Sequence, residues 1–472
     1  MSTAAPIAPQ PPAGRPAKQK LDPQAMKVAW TILAGGIAVL LDTTIVSVAL
    51  KTIGADLHVG PGVIQWVSTA YLLALGVTVP LVGWAQRALG AKRLWLVALT
   101  VFMGGSVLSS LSWNAASLIA FRALQGVGGG IMMPLMMTLV IQAAGGKNLA
   151  RISSIIALPT AVGPVFGPVI GGLIVYHLHW SWLFWVNVPF CLTGLILGWR
   201  ILPKDGPPVR QRLDWVGLCL MAPGFIGILF GLSRSQTAGG FGQAQVLVPA
   251  LAGVAFLAAF GWWAVRREGR ALVDVRLLRH RPLASGSAVM FLSGFGLYGA
   301  MFLLPMFFQG VRGSDVLAAG LLLAPQGLGT LASRLLINQL LARFGSRATV
   351  VGAFALAALA TVPFAYAGAD TRLGWLLAVL FVRGVALGAV MVPVMAVAFE
   401  GIDQPSVPDA SIVTRIFQQV GGSFGTAVLA TVLASRPTNV TGGFHAAFWY
   451  AVGFTVLAVA VSSLLPGRAR RA

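Results

Sequence analysis

The sequence predicts an all-α membrane protein of fourteen transmembrane helices with both termini in the cytoplasm. Three observations carry this reading. Of 472 residues, 57% are hydrophobic and 10% are charged, where a soluble domain carries about 25% charged residues. Apolar runs of roughly 20 residues, the length that crosses a hydrocarbon core, recur along the chain. Basic residues outnumber acidic ones 33 to 12, and they gather between alternate runs. The composition excludes a soluble enzyme, a disordered protein and a secreted disulfide scaffold. Cys191 and Cys219 are the two cysteines, and both fall in apolar runs, so no disulfide framework is expected.

Taken in order, residues 1–25 hold six prolines and little apolar material and read as a disordered cytoplasmic tail. The first apolar run is of full span length with no cleavage site after it, so it is not a signal peptide. Six spans follow at about 28–50, 64–84, 94–111, 117–143, 152–176 and 180–199. After a basic linker come two more, near 214–232 and 246–265. The last six fall near 283–308, 316–341, 348–367, 374–399, 410–434 and 444–465. This order places 24 basic residues in inner segments, 5 in outer segments and 4 inside spans. Such a bias sets orientation by the positive-inside rule. The charge shows no single basic face or stacking platform, so no nucleic acid is expected as a partner.

The expected domains are a six-helix bundle at 26–200, a linker with two extra helices at 201–282, a second six-helix bundle at 283–466 and a basic tail at 467–472. The two bundles share local patterns. Gln86-Arg87-Ala88-Leu89-Gly90 follows the second span, and Leu341-Ala342-Arg343-Phe344-Gly345 follows the tenth. Arg122, Gly129 and Pro134 in the fourth span match Arg383, Gly388 and Pro393 in the twelfth, with the same Gly-to-Pro spacing. Two related bundles around a midplane cavity are the arrangement of alternating-access transporters.

Intramembrane ionisable groups mark candidate sites. Asp42 is the acid well inside a span. Burial favours a protonated carboxyl and a neighbouring cation favours the carboxylate, so a group held between the two can load and release a proton. Arg122 is its expected partner. At 1.5 Å per residue, Asp42 and Arg122 lie roughly 12 and 8 Å from the outer side. Arg383 has no acid at matching depth, which leaves it for an anionic substrate group, for backbone carbonyls or for Tyr298. Arg334 and Arg415 are expected to reach back to the inner surface. In the fifth span Gly163, Gly167 and Gly171 share one helix face that permits close contact, and Pro164 and Pro168 each remove a backbone donor. Gly172 follows. Candidates for lining a substrate cavity are Trp66, Tyr71, Gln125, Met132, Asn187, Tyr298, Gln309, Gln326, Arg383 and Gln418, together with Met133, Trp185 and Gln419. His177 and His179 lack a third ligand, so no metal is expected. Walker A, HExxH and nucleophile-elbow patterns are absent, so neither catalysis nor a cofactor is expected, and a proton gradient is the expected energy source.

At these residues the chain resembles the fourteen-helix drug:proton antiporter family (EmrB/QacA-like) of the major facilitator superfamily. Leu41 to Leu50 is similar to the family's first-span signature and Trp66 to Tyr71 to its second span. Arg122-Ala123-Leu124-Gln125-Gly126 is similar to the fourth-helix motif whose arginine the family implicates in proton coupling. Gly163 to Gly172 matches the antiporter motif of exporters. Trp182 to Pro189 and Asp214-Trp215-Val216-Gly217 point to the fourteen-helix branch. The resemblance implies the major-facilitator fold, a bacterial inner-membrane location, and export of small amphipathic drugs, antibiotics or metabolites in exchange for protons. The scarcity of acids favours neutral or anionic compounds. Uptake or facilitated diffusion is the alternative, which the fifth-span motif argues against; a lipid-handling scaffold would need a polar cluster at a membrane face. The resemblance also implies a cytoplasmic gate at Gly83, Arg87, Gly90, Lys92, Arg93 and Asp409. The chain departs from the family pattern in having Ser47 for Asn, Lys51 for Pro, Arg87 for an acid and Ala88 for an arginine. A latch of reversed polarity, Arg87 meeting Asp409 at the thirteenth helix, is the expectation that follows.

Overall fold

A backbone surrounded by hydrocarbon must satisfy its own N–H and C=O groups, and a helix does so within one segment. In the computed structural model, which describes residues 23–143, 163, 166–207, 213–234, 242–267, 271–403, 406–435 and 439–466, every regular element is a helix. Among the described residues twelve helices are long and apolar enough to cross a membrane. In chain order the segments are α1 (Met26–Asp56), α2 (Pro61–Thr78), α3 (Ala91–Ser110), α4 (Ala115–Ala143), the shorter α5 (Phe166–His177), α6 (Trp182–Ile201), α7 (Trp215–Arg234) and α8 (Ala244–Arg266). Then come α9 (Arg281–Gly310), a segment Val316–Ala365, α12 (Leu373–Ala398), α13 (Val407–Ala434) and α14 (Val440–Ser462). Val316–Ala365 has 50 residues. At 1.5 Å per residue it would reach about 75 Å, more than twice the hydrocarbon core. It turns at Gly345, where φ is 77° and ψ 171°, and this divides it into α10 (316–344) and α11 (346–365). The faces are named inner and outer from the distribution of basic residues.

The turn at Gly345 has a counterpart at Gly90, which links the inner extension of α2 (Leu81–Leu89) to α3 with φ 87° and ψ 159°. Both are left-handed positions that favour glycine, and they occupy corresponding places in the two similar sequence stretches. A Cβ at Gly90 would also strike the Asp205 carboxylate.

Packing positions the site. In the first part of the chain α1 lies against α4 and α6, α2 against α4, and α3 against α4 and α6. In the second, α9 lies against α13 and α14, and α10 and α11 against α12 and α14. The two sets meet where α2 crosses α13 and where the outer end of α1 touches α9. One apolar cluster runs through that outer contact, joining Val46, Ala49 and Leu50 to Phe302, Leu303 and Phe307. α7 pairs with α8 and rests on both α2 and α13. There Leu229 is buried with Leu73 and Ala427, and Met221 with Val413 and Ile416. α7 therefore covers the line where α2 meets α13, while α8 is mostly turned away from the protein.

Candidate functional site

Asp42 and Arg122 meet in a contact of 2.6 Å between Oδ2 and Nη1, and both side chains are almost wholly buried. Burying two charges is costly unless the remaining lone pairs and protons find partners, and here most of them do. Asp42 Oδ1 accepts from Gln125 Nε2 at 2.9 Å and from Asn187 Nδ2 at 3.1 Å. Arg122 Nη1 also donates to Gln125 Oε1 at 2.7 Å, and its Nε donates to the Val67 carbonyl at 3.2 Å. The guanidinium carbon stands 4.1 Å above the Tyr71 ring, where the face of the aromatic quadrupole attracts a cation.

Local sequence explains the convergence. Arg122 and Gln125 are three apart on α4 and so share a face. Asn187 near the start of α6 also donates to Ser106 Oγ of α3 at 3.0 Å, and that hydroxyl donates to the Phe184 carbonyl at 2.8 Å. Two buried atoms beside this network, Tyr71 Oη and Asn187 Oδ1, have no partner. The site thus retains hydrogen-bonding capacity next to the carboxylate. A small cavity opens beside it, lined by Asp42, Ser47, Tyr71 and Arg122 on one side and by Tyr298, Met301 and Phe302 on the other.

The second half builds a similar arrangement without an acid. Arg383 of α12 is 4% exposed. It donates through Nη1 to Gln326 Oε1 at 2.7 Å, through Nε to Thr361 Oγ1 at 3.1 Å and through Nη2 to the Gly296 carbonyl at 3.0 Å. Gly296 on α9 supplies a neutral carbonyl where Asp42 on α1 supplies a carboxylate. The first half thus holds its buried arginine with a carboxylate and the second with neutral acceptors alone. Gln326 and Arg383 are engaged with each other, rather than free for a ligand.

The other sequence candidates separate by position. Tyr71 and Tyr298 line the cavity. Gln125 and Asn187 hold Asp42. Met132 is fully buried in the apolar cluster around α4, and Trp66 packs with Leu73 and Leu229 under α7; neither lines the cavity. Gln418 presents its backbone carbonyl to Gly294 of α9, where a side chain would collide with it. Gln309 lies at the outer end of α9 and joins the two halves. Its Nε2 donates to the Val48 carbonyl at 2.7 Å, and its own backbone carbonyl accepts from Lys51 Nζ at 2.5 Å. Lys51, noticed in the sequence as a departure from the family pattern, is thus half of an outer clasp.

The glycines of α5 face α1 closely. A Cβ at Gly163 would meet the Leu40 carbonyl at 3.0 Å, and Thr44 Oγ1 donates to the Gly163 carbonyl at 3.2 Å. At Gly167 a Cβ would run into Thr44 Oγ1, and at Gly171 into the Ile45 carbonyl. At Gly172 it would meet the Val316 carbonyl of α10 at 2.8 Å, and Gly320 faces the Pro168 carbonyl in the same way. Pro164 lies outside the described residues.

At the inner face, Lys92 and Arg93 begin α3, and their backbone N–H groups donate to Asp205 at 2.8 and 3.0 Å. Lys92 Nζ donates to the carbonyls of Trp199 and Leu202 at the end of α6, at 2.6 and 3.0 Å. Asp205 caps α3 from a distant loop and matches its positive end. Sequence reasoning missed it, although it is the acid in the basic stretch from Arg200 to Arg212. A Cβ at Gly83 would lie in ordinary contact with Arg87 Nη1 at 4.0 Å. Arg87, on the inner extension of α2, is close enough for its charge to act on Asp409, as does that of Asp274. Asp409 lies in the first turn of α13, inside the helix rather than at its cap.

Residues 32–426 match the family model described as Major Facilitator Superfamily. The chain is 33% identical to the "Multidrug resistance protein B homolog" of Mycobacterium tuberculosis over 430 residues, covering 89% of this chain and 80% of that protein. It is 27% identical to the "Lincomycin resistance protein LmrB" of Listeria innocua over 417 residues, covering 88% of each. In fold it is similar to the human organic anion transporter MFSD10 (TETRAN), with a TM-score of 0.61 at 17% identity, covering 93% of this chain and 100% of that one.

Proposed function

The chain belongs to the major facilitator superfamily, and from that premise we propose that it exports small amphipathic compounds, neutral or anionic, across a bacterial cytoplasmic membrane in exchange for protons. As a member of that family it is an integral membrane transporter and not an enzyme. The observation that carries the proton-coupled reading is Asp42, a buried acid paired with Arg122 beside the cavity between the halves. Protonation of Asp42 removes the negative partner of Arg122 and leaves Gln125 and Val67 as its acceptors. The freed guanidinium and the neutral carboxyl then favour a different packing of α1 against α4. Alternating access follows as 26–200 and 283–466 rock against each other, with Tyr71, Tyr298, Met301 and Phe302 in contact with the cargo. Relatives named for resistance to drugs support export as the direction.

Proteoliposomes enclosing a pH-sensitive dye, under an imposed pH gradient, test this. Compounds that raise the protein's melting temperature are added one at a time. Proton movement started by such a compound is the expected result. Transport of a compound with no proton movement at any gradient would favour facilitated diffusion.

The same reading assigns the inner gate. Arg87 of α2 and Asp409 of α13 form a latch across the halves, with its polarity reversed from the family pattern, and Asp274 of the linker adds a second carboxylate. The positive N-terminal end of α13 favours Asp409 in its first turn. Arg87→Asp is expected to lower transport several-fold, and adding Asp409→Arg to restore most of it. Improved transport by Arg87→Asp alone would exclude the pairing.

A further inference from the structure

Arg415 lies on α13, about two turns from its inner end. Among the described residues its guanidinium forms no hydrogen bond or ion pair, in contrast to Arg122 and Arg383. The side chain is half-buried, its charge acts on Tyr298 of α9, and helical spacing puts it on the face of α13 that carries Gln419 and Gly422. One turn further along α13 is Gln419, 2% exposed. Its side chain is within hydrogen-bonding reach of the Tyr298 hydroxyl, while its Oε1 has no partner.

Glycines bring these three side chains together. Gly422 lets the Tyr298 ring lie directly on α13: a Cβ there would sit 3.0 Å from Tyr298 Cγ. At Gly76 of α2 a Cβ would sit 3.1 Å from Gln419 Cβ. Tyr298 therefore lines the Asp42 cavity and also lies against the face of α13 that carries Arg415 and Gln419. A half-buried guanidinium with no carboxylate beside it can be shared by an arriving anion. A buried amide oxygen without a donor invites an N–H or O–H.

We propose that Arg415, Gln419 and Tyr298 form an anion subsite on the inner flank of the cavity, which takes the carboxylate of an amphipathic substrate bearing a hydroxyl or N–H beside that carboxylate. Arg415 pairs with the carboxylate, Gln419 Oε1 accepts the neighbouring N–H or O–H, and the apolar body of the substrate lies against Tyr298, Met301 and Phe302. The inference deepens the export reading and rests on it for the location of the cavity as the cargo site.

Equilibrium binding in nanodiscs without a pH gradient tests it independently of proton coupling. Dansylglycine, an amphipathic carboxylate with a nearby N–H, is compared with the neutral dansylglycinamide by energy transfer from the protein's tryptophans. The full-length chain is expected to bind the acid about tenfold or more tightly than the amide, the range of a charge-assisted hydrogen bond. Arg415→Gln should weaken the acid alone and bring the two within about twofold, and Arg415→Lys should retain most of the preference. Phe166→Ala, at an exposed position of α5, should keep it whole, and because no pH gradient is imposed a failure of proton coupling and a failure of this subsite give different results. No preference in the unaltered chain, an unchanged preference in Arg415→Gln, or an equal loss for both compounds would overturn the assignment.

Discussion

Asp42→Asn is expected to end substrate-driven proton movement while substrate binding survives. Asn has nearly the shape of Asp, so the packing of the four helices is retained, but its single amide oxygen can accept either from Arg122 or from Gln125 and Asn187, and its NH2 faces the remaining donors. It cannot take up or release a proton. The measurement is the dye response in proteoliposomes, which should fall to the level of empty vesicles, set beside melting-temperature shifts that persist. Proton-coupled transport at the unaltered rate would remove Asp42 from the mechanism. Arg122→Gln should behave differently. It leaves a buried carboxylate without its cation, and breaking such a pair costs about 3–5 kcal/mol when the charge remains. That variant should therefore be less stable as well as inactive, and the contrast between the two separates proton carriage from structural pairing.

The second large effect concerns α5. Gly167→Val should lower both melting temperature and transport. The added Cβ would occupy the place of Thr44 Oγ1 and come within 3.3 Å of the Ile45 backbone nitrogen, so the two helices must separate. Overpacking of this kind costs about 1–3 kcal/mol and sometimes more. Thr44 is two residues beyond Asp42 on the same helix, so pushing α1 away also draws Asp42 from Arg122. Phe166→Ala is the control: Phe166 is on the same helix but 49% exposed, and its removal should change neither property. An unaffected Gly167→Val would show that the glycine face is not a close seam.

The meeting of Asp42 and Arg122 was legible because depth along a helix follows from residue count alone. Its other ligands were less so. Gln125 and Asn187 stood in the sequence as cavity candidates, since which side a polar residue faces depends on the rotation of each helix, and nearly all-apolar spans leave that rotation unmarked. Trp66 was hidden for the same reason: its neighbour is α7, and nothing in the pattern of α7 says that it rests on α2 and α13. Asp205 lies in a loop, where no periodicity exists to read. The glycine stretch from Gly163 to Gly172 was read most directly, because spacing by four places small residues on one face regardless of surroundings. The division at Gly345 was foreseen as two spans because no single crossing is that long.

The clasp between Lys51 and Gln309 has a consequence for the energetics of the cycle. Its acceptor is a backbone carbonyl, which has no proton to gain, so acidifying the outer medium does not weaken this contact. A carboxylate in that place would have released the outer end as the medium turned acid. With an amide oxygen there, the work of parting Lys51 from Gln309 is the same in acid and neutral surroundings.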